Sequence, residues 1–312
     1  MRKSKLVLHR LWQFVPVLLA ITFLTFLLAQ AIPGDPIRLV VGDRAPQSVV
    51  DAVRARYGLD RPLPVQYLVY MGNLAQGDWG VSIVYDVPVL GLIAKRIVPT
   101  LYLVVGGVAL TASIGFGFAT AAARRQGRWP DHMLRFASTF GLAIPVFWLA
   151  LVLVLVFAIR LRWFPATGFG EGVGSHIRHM VLPWVTVVVA MVPILVRNLR
   201  ASLIDRLDAD FVVAERSKGL GERRIFFRHV VPNALLPNLH LMGVVAVYIL
   251  GISVVIEPIF AIPGLGDMYL ESILGRDYFL IVSLTLVFAV LTTATTLIVD
   301  VLSLVVDPRI DQ

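Results

Sequence analysis

DADFVVAERSKGLGERRIFFRHVVPNALLP, residues 208–237, is the longest charged interruption in the second half of a 312-residue chain. Long apolar runs lie on both sides of it, so its layout governs how the rest is arranged. Asp208 or Asp210 can cap a helix start, because a short side-chain oxygen accepts from the free amides of a first turn. Arg216 and Lys218 stand where cations favour the free carbonyls of a helix end. Gly219 follows, the residue that closes helices in a left-handed turn without steric cost. A second short helix is expected over Glu222–Val230, and Pro232 disfavours the helical state of the residue before it and marks a boundary. The local physics gives helix, glycine turn, helix, with Val212, Val213, Ile225, Phe226 and Phe227 as apolar knobs between charges. Such an elbow is either a solvated loop or a docking knob for a soluble partner.

The flanking runs follow from composition. Hydrophobic residues make up 58% of the chain and charged residues 15%, with a mean hydropathy of +0.81; a soluble domain has roughly 45–50% apolar and about 25% charged residues. This is an integral membrane protein. Six runs approach or exceed the roughly 20 residues that a bilayer needs: Leu11–Ala31, Ile97–Ala123, Phe136–Ile159, His179–Val196, His229–Ile256 and Tyr278–Val306. The expected fold is all-α with six transmembrane helices. The first run follows a basic start and ends Ala29-Gln30-Ala31, as a cleaved leader does, but its length predicts an uncleaved helix. Gly106, Gly107, Gly115 and Gly117 let helix backbones approach. Pro145, Pro183 and Pro193 kink or start their helices. Residues 32–99 form a polar insertion of mixed charge, with a short surface helix over Gln47–Tyr57 and too little apolar content for a core of its own.

Lysine and arginine set the orientation. Arg2, Lys3, Lys5 and Arg10 precede the first run, Arg124, Arg125, Arg128 and Arg135 follow the second, and residues 197–228 are richer still in arginine. The short loops on the other side carry fewer, and the long 32–99 insertion counts little in this rule. Both termini and the elbow, residues 198–238, are therefore expected in the cytoplasm. The formal charge of +8 belongs to these basic inner loops rather than to a nucleic-acid partner. The chain has no cysteine, which excludes disulfides, thiolate nucleophiles and cysteine metal sites. It has no phosphate loop, His-Glu-x-x-His or Gly-x-Ser-x-Gly, so it is neither the ATPase of a transporter nor a hydrolase of those types. His176 and His179 share a helical face and are read as surface residues. Glu257, before Pro258, and Asp300 are intramembrane acids and hence structural or gating candidates; a bond to a neighbouring helix is the simpler role for each.

The spacing of Ala214, Gly219 and Pro232 resembles the cytoplasmic coupling loop of ABC-importer permeases, although Val213-Ala214-Glu215 stands where that family has Glu-Ala-Ala. Several further stretches closely resemble the oligopeptide/dipeptide branch of the family. They are Ile256-Glu257-Pro258-Ile259-Phe260-Ala261-Ile262-Pro263-Gly264-Leu265-Gly266, Gly275-Arg276-Asp277-Tyr278, Asp307-Pro308-Arg309, Pro33-Gly34-Asp35-Pro36, Tyr57-Gly58-Leu59-Asp60, Gln76-Gly77-Asp78-Trp79-Gly80 and Ile144-Pro145-Val146-Phe147-Trp148-Leu149. The resemblance covers nearly the whole chain. It implies one permease domain over residues 1–312, with the type I importer fold, in the bacterial cytoplasmic (inner) membrane. It also implies a second permease, two cytoplasmic ATPases that carry ATP and magnesium, and an extracytoplasmic solute-binding protein; this chain itself carries no cofactor. Val213, Ala214, Glu215, Arg216, Gly219, Leu220 and Pro232 would then form the ATPase-coupling loop, and residues 263–277 a re-entrant-looking turn facing the binding protein. Short peptides are the expected cargo. Nickel, glutathione or another small solute is the alternative within the family. A stand-alone channel or carrier, which would place ionisable or broken-helix sites near the midplane, and a membrane enzyme lie outside it.

Overall fold

The structure, a computed structural model, describes residues 2–31, 34–42 and 44–306. Pro33 and Asp307-Pro308-Arg309 lie outside these residues, and so do the side chains of Arg2, Lys3, Lys5, Arg10 and Arg135. In chain order the helices are α1 (Arg2–Ala31), α2 (Pro36–Val41), α3 (Gln47–Arg56), α4 (Leu63–Ala75), α5 (Val89–Arg124), α6 (Trp129–Ala143), α7 (Val146–Leu153), α8 (Val173–Leu207), α9 (Asp210–Ser217), α10 (Glu222–Ile225), α11 (Val231–Ile259), α12 (Leu265–Leu274) and α13 (Tyr278–Val306). Wider π-helical turns, Val154–Arg160 and Phe226–Val230, follow α7 and α10. One isolated bridge, Val81 to Pro88, is the only strand-like pairing among the described residues.

Five described helices carry spans long and apolar enough to cross a membrane: Trp12–Ala31, Val89–Arg124, Val173–Leu207, Pro237–Ile259 and Tyr278–Ser303. The sixth expected span, Phe136–Ile159, is not one helix. Ile144 and Pro145 are extended, with ψ of 122° and 129°, and separate α6 from the shorter apolar stretch Val146–Arg160. Proline disfavours the helical state of the residue before it, so the chain leaves the helix at Ile144. Pro99, Pro183 and Pro193, by contrast, are carried inside α5 and α8.

The chain divides into two compact units, Met1–Thr100 with Ile262–Ala294, and Leu101–Ala261 with Thr295–Gln312. In the first, the 34–100 segment gathers buried Ile37, Val50 and Ile83, joined by Phe279 of α13; Tyr70 of α4 packs with Phe26 and Val282. Its apolar residues thus complete their clusters on long helices. Asp277, fully buried, accepts from Ser82 Oγ at 2.5 Å, Val84 N at 3.2 Å and Leu280 N at 3.3 Å. Three donors on one buried carboxyl group fix its position. The expected re-entrant turn contains a regular helix, α12, whose Leu265 amide donates to Thr100 Oγ1 at 2.8 Å.

In the second unit, α8 is the most buried helix and packs against α6, α7 and α11. At Gly106 a Cβ would overlap the indole of Trp184, whose Nε1 donates to the Tyr102 carbonyl at 3.0 Å; only glycine allows that approach. Arg200 of α8 grips the buried Asp131 of α6 with Nε at 2.6 Å and Nη2 at 2.7 Å. Asp131 also accepts from Gly127 N.

Candidate functional site

The elbow is built from its helix ends. Asp208 terminates α8, and Ala209, extended, precedes α9. Neither Asp208 nor Asp210 caps with its side chain: Asp210 is already inside the first turn, where its charge still meets the helix dipole. At the other end Gly219 has φ of +79°. Leu220 N reaches back to Glu215 O at 3.3 Å and Gly219 N to Arg216 O at 2.9 Å. This pair of bonds is the Schellman closure, which satisfies carbonyls that a helix end leaves free. Nothing lies within 4 Å of a Cβ placed on Gly219, so the backbone conformation alone calls for glycine.

Pro232 does not end the second helix. The chain runs from Glu222 through the π turn directly into α11, with Pro232 exposed in the first turn of α11. A proline is tolerated in a first turn because its missing N–H has no obligatory partner there.

The five apolar knobs separate into two groups. Val212, Ile225 and Phe226 are buried in a cluster with Leu195, Leu199 and Leu203 of α8 and Ala119 and Ala123 of α5. Leu220 packs against this cluster, and Arg124 stacks over the Phe226 ring at 5.8 Å. Val213 and Phe227 alone of the five point outward, 58% and 42% exposed. Ala214, Arg216 and Gly219 are exposed beside them. Arg223, Arg224, Arg228 and Phe227 line an open hollow with Gly221, a grouping that spacing alone did not single out. Around the turn, Arg216 Nε donates to Glu222 at 2.7 Å and Lys218 Nζ to Glu215 at 3.0 Å. The hydrogen bond from Lys218 holds the Glu215 carboxyl below its usual range, and that from Arg216 does the same for Glu222. The result is a surface with an apolar centre, a basic rim and a rigid apolar root.

The two intramembrane acids are placed differently. Glu257 is fully buried in α11. Asp300 of α13 lies 3.8 Å from His240 Nε2 of α11, a helix-to-helix contact. His176 stacks on Phe169 with centroids 3.9 Å apart and its Nδ1 meets the Phe169 carbonyl, while His179 Nδ1 meets the Ser175 carbonyl. Both histidines serve local packing. Near α12, Arg96 bridges Asp267 at 2.9 Å and Glu271 at 3.6 Å, and Tyr85 donates to Glu271 at 3.0 Å.

Comparison with known proteins follows the same outline. Residues 113–312 match the family model described as binding-protein-dependent transport system inner membrane component, and residues 3–114 match its N-terminal counterpart. The chain is 37% identical over 311 residues to the oligopeptide transport system permease protein AppB of Bacillus subtilis (strain 168), covering 98% of each. It is 35% identical over 304 residues to the glutathione transport system permease protein GsiC of Escherichia coli (strain K12), covering 97% of this chain and 98% of that one. A chain of the inward-facing MetNI methionine ABC transporter superposes with a TM-score of 0.58 at 15% identity, over 70% of this chain and 97% of that chain; the likeness is one of fold, that of a type I importer permease. With both family models and full-length relatives in agreement, the chain belongs to the binding-protein-dependent transport system inner membrane components, as a permease of an ABC importer in the inner membrane.

Proposed function

We propose that this permease, acting as one domain over its whole length, forms half of a path for short peptides and is driven through its elbow by cytoplasmic ATPases. The observation that carries the reading is the division of the elbow into a buried root and an outward face of Val213, Phe227 and arginines. An anchored apolar knob with a basic rim suits a groove on a soluble partner, since apolar anchors in a polar rim are how interfaces are built. The ATPases hold ATP and magnesium; closing on ATP, they move the elbow and open the path outward. A second permease supplies the other half, and a binding protein outside delivers cargo towards residues 34–100 and 263–277. Both termini are on the cytoplasmic side with the elbow.

Peptide as cargo draws support from the name of the AppB relative and from the chemistry of the spans. These carry no cysteine, and their acids Glu257 and Asp300 are respectively enclosed and set against a histidine. A bare metal ion needs a ladder of imidazole, thiolate or carboxylate ligands, whereas a peptide needs a wide path without tight ligands. The GsiC relative favours glutathione as a second reading. The test is a strain lacking this chain, given labelled di- to pentapeptides, glutathione and nickel in parallel. Peptide uptake should fall. Unchanged peptide uptake beside a fall in glutathione or nickel uptake would remove the peptide assignment.

A further inference from the structure

The break at Ile144–Pro145 falls where a membrane tolerates it least. Trp129–Ala143 on one side and Val146–Arg160 on the other each have 15 residues, about 22 Å for the first at about 1.5 Å per residue and somewhat less for the second, whose last seven residues are π-helical. The hydrocarbon core is about 30 Å thick, so a break that far from either end lies inside it. Pro145 has no N–H, which leaves the carbonyl of Gly141 without its helical partner. Pro193, inside α8, does the same to the carbonyl of Val189. These two positions meet. A Cβ on Gly141 would lie 3.1 Å from Pro193 Cγ and 3.3 Å from the Val189 carbonyl oxygen. Two carbonyls released by two prolines therefore stand at one level of the second unit.

Irregular backbone at membrane depth persists only where protein buries it or where it lines a water-filled cavity. This chain buries it only in part: Gly141 and Ile144 are half-buried, Ala143 and Pro145 are exposed, and Phe147 and Trp148 are 53% and 51% exposed. We infer that the Gly141–Trp148 break lines the aqueous translocation path and presents backbone carbonyls to the N–H groups of a passing peptide. The peptide half of this statement rests on the function proposed above; the aqueous half does not. Carbonyl acceptors suit amide N–H groups and a terminal ammonium. Phe147 and Trp148 offer apolar surface that any side chain can slide over, so recognition falls on the backbone common to all peptides.

The absence of native cysteine makes the test direct. Ala143→Cys and Phe147→Cys, each in the assembled transporter, are exposed to a cationic, membrane-impermeant thiol reagent through the nucleotide cycle. Leu155→Cys, on the apolar stretch beyond the break, is the control that stays unlabelled, and Glu171→Cys, exposed in the loop before α8, is the control that labels. The expected result is labelling at both 143 and 147 in at least one nucleotide state. It should slow at least threefold with saturating transported peptide and not with the same peptide N-methylated along its backbone. No labelling at either position in any state, in a complex that takes up peptide and labels at 171, would overturn the inference and leave the proposed function standing. Labelling that neither peptide slows would overturn the carbonyl contact.

Discussion

Against the 34–100 segment a fully buried carboxyl group from the turn before α13, Asp277, draws in a hydroxyl and two amides; in the elbow the buried groups are apolar, and the charges pair at the surface. Both are polar stretches next to membrane helices, and they are held by opposite means. Directed bonds to one buried carboxyl group fix a position and a register. Apolar packing fixes a root and leaves the outward face to other uses. The difference teaches where each region tolerates change: the first in its rim, the second in its surface charges but not its knobs.

The most damaging way to test this is Asp277→Ala. It strands the Ser82 hydroxyl and the amides of Val84 and Leu280, and should lower stability by on the order of 3 kcal/mol, read as a fall in the denaturation midpoint of the purified complex. A wild-type midpoint would mean that the segment is held by something else. In the elbow, Val213→Asp and Phe227→Asp should melt like wild type yet lose the ATPase stimulation given by loaded binding protein. Val212→Asp, one residue along but buried, should prevent accumulation altogether. Gly219→Val belongs with the first pair, adding about 1 kcal/mol of backbone strain, and more for its branched side chain. If Val213→Asp retains full stimulation, the outward face has no coupling role.

The smallest effect is in pH, and it has opposite signs in the elbow and in α12. Glu215 and Glu222 are held low by Lys218 and Arg216. Their pairs stabilise the elbow above the ordinary carboxylate range and are lost as pH falls through the lowered values. Asp267 is raised, by burial first and then by Glu271, against the pull of Arg96. Its folded form holds the proton more tightly than the unfolded chain, so acidification favours α12 and rising pH removes that gain. Hydrogen exchange corrected for intrinsic rates, compared at neutral pH and at about pH 3, below the ordinary carboxylate range, should show residues 208–232 loosening while residues 265–277 do not. Loosening of both, or of α12 alone, would contradict the assignment of these shifts.

Much of this was legible along the chain. The runs Leu11–Ala31 and Tyr278–Val306 are helices because unbroken apolar residues leave a backbone in lipid no other way to satisfy itself. Gly219 was legible because a glycine after a basic helix end has few other uses. The break at Ile144 was not, because hydropathy counts side chains and is blind to a missing N–H; Pro145, Pro183 and Pro193 look alike in the sequence, yet only Pro145 interrupts its helix. The expectation of one continuous span over Phe136–Ile159 is corrected there. Nor could spacing tell Val212 from Val213, since which face of α9 is buried depends on Leu199 and Leu203, several residues and a turn away. The Asp277 network joins residues 195 positions apart, a pairing that no local pattern encodes.

The π turn at Phe226–Val230 has an angular consequence. An α-helix advances about 100° per residue, and a π turn absorbs one residue more than the α-helix around it. Removing a single residue there would let the helix close as ordinary α-helix, with no loss of reach. It would also leave Arg223 and Arg224 near their present heading, because the wide turn already takes up the rotation of its extra residue, whereas a deletion in the regular part of α11 would swing them by about 100°. The wide turn is thus one residue of slack in the backbone: a deletion inside it keeps the elbow's aim, and the same deletion beyond it redirects the elbow while leaving its surface chemistry intact.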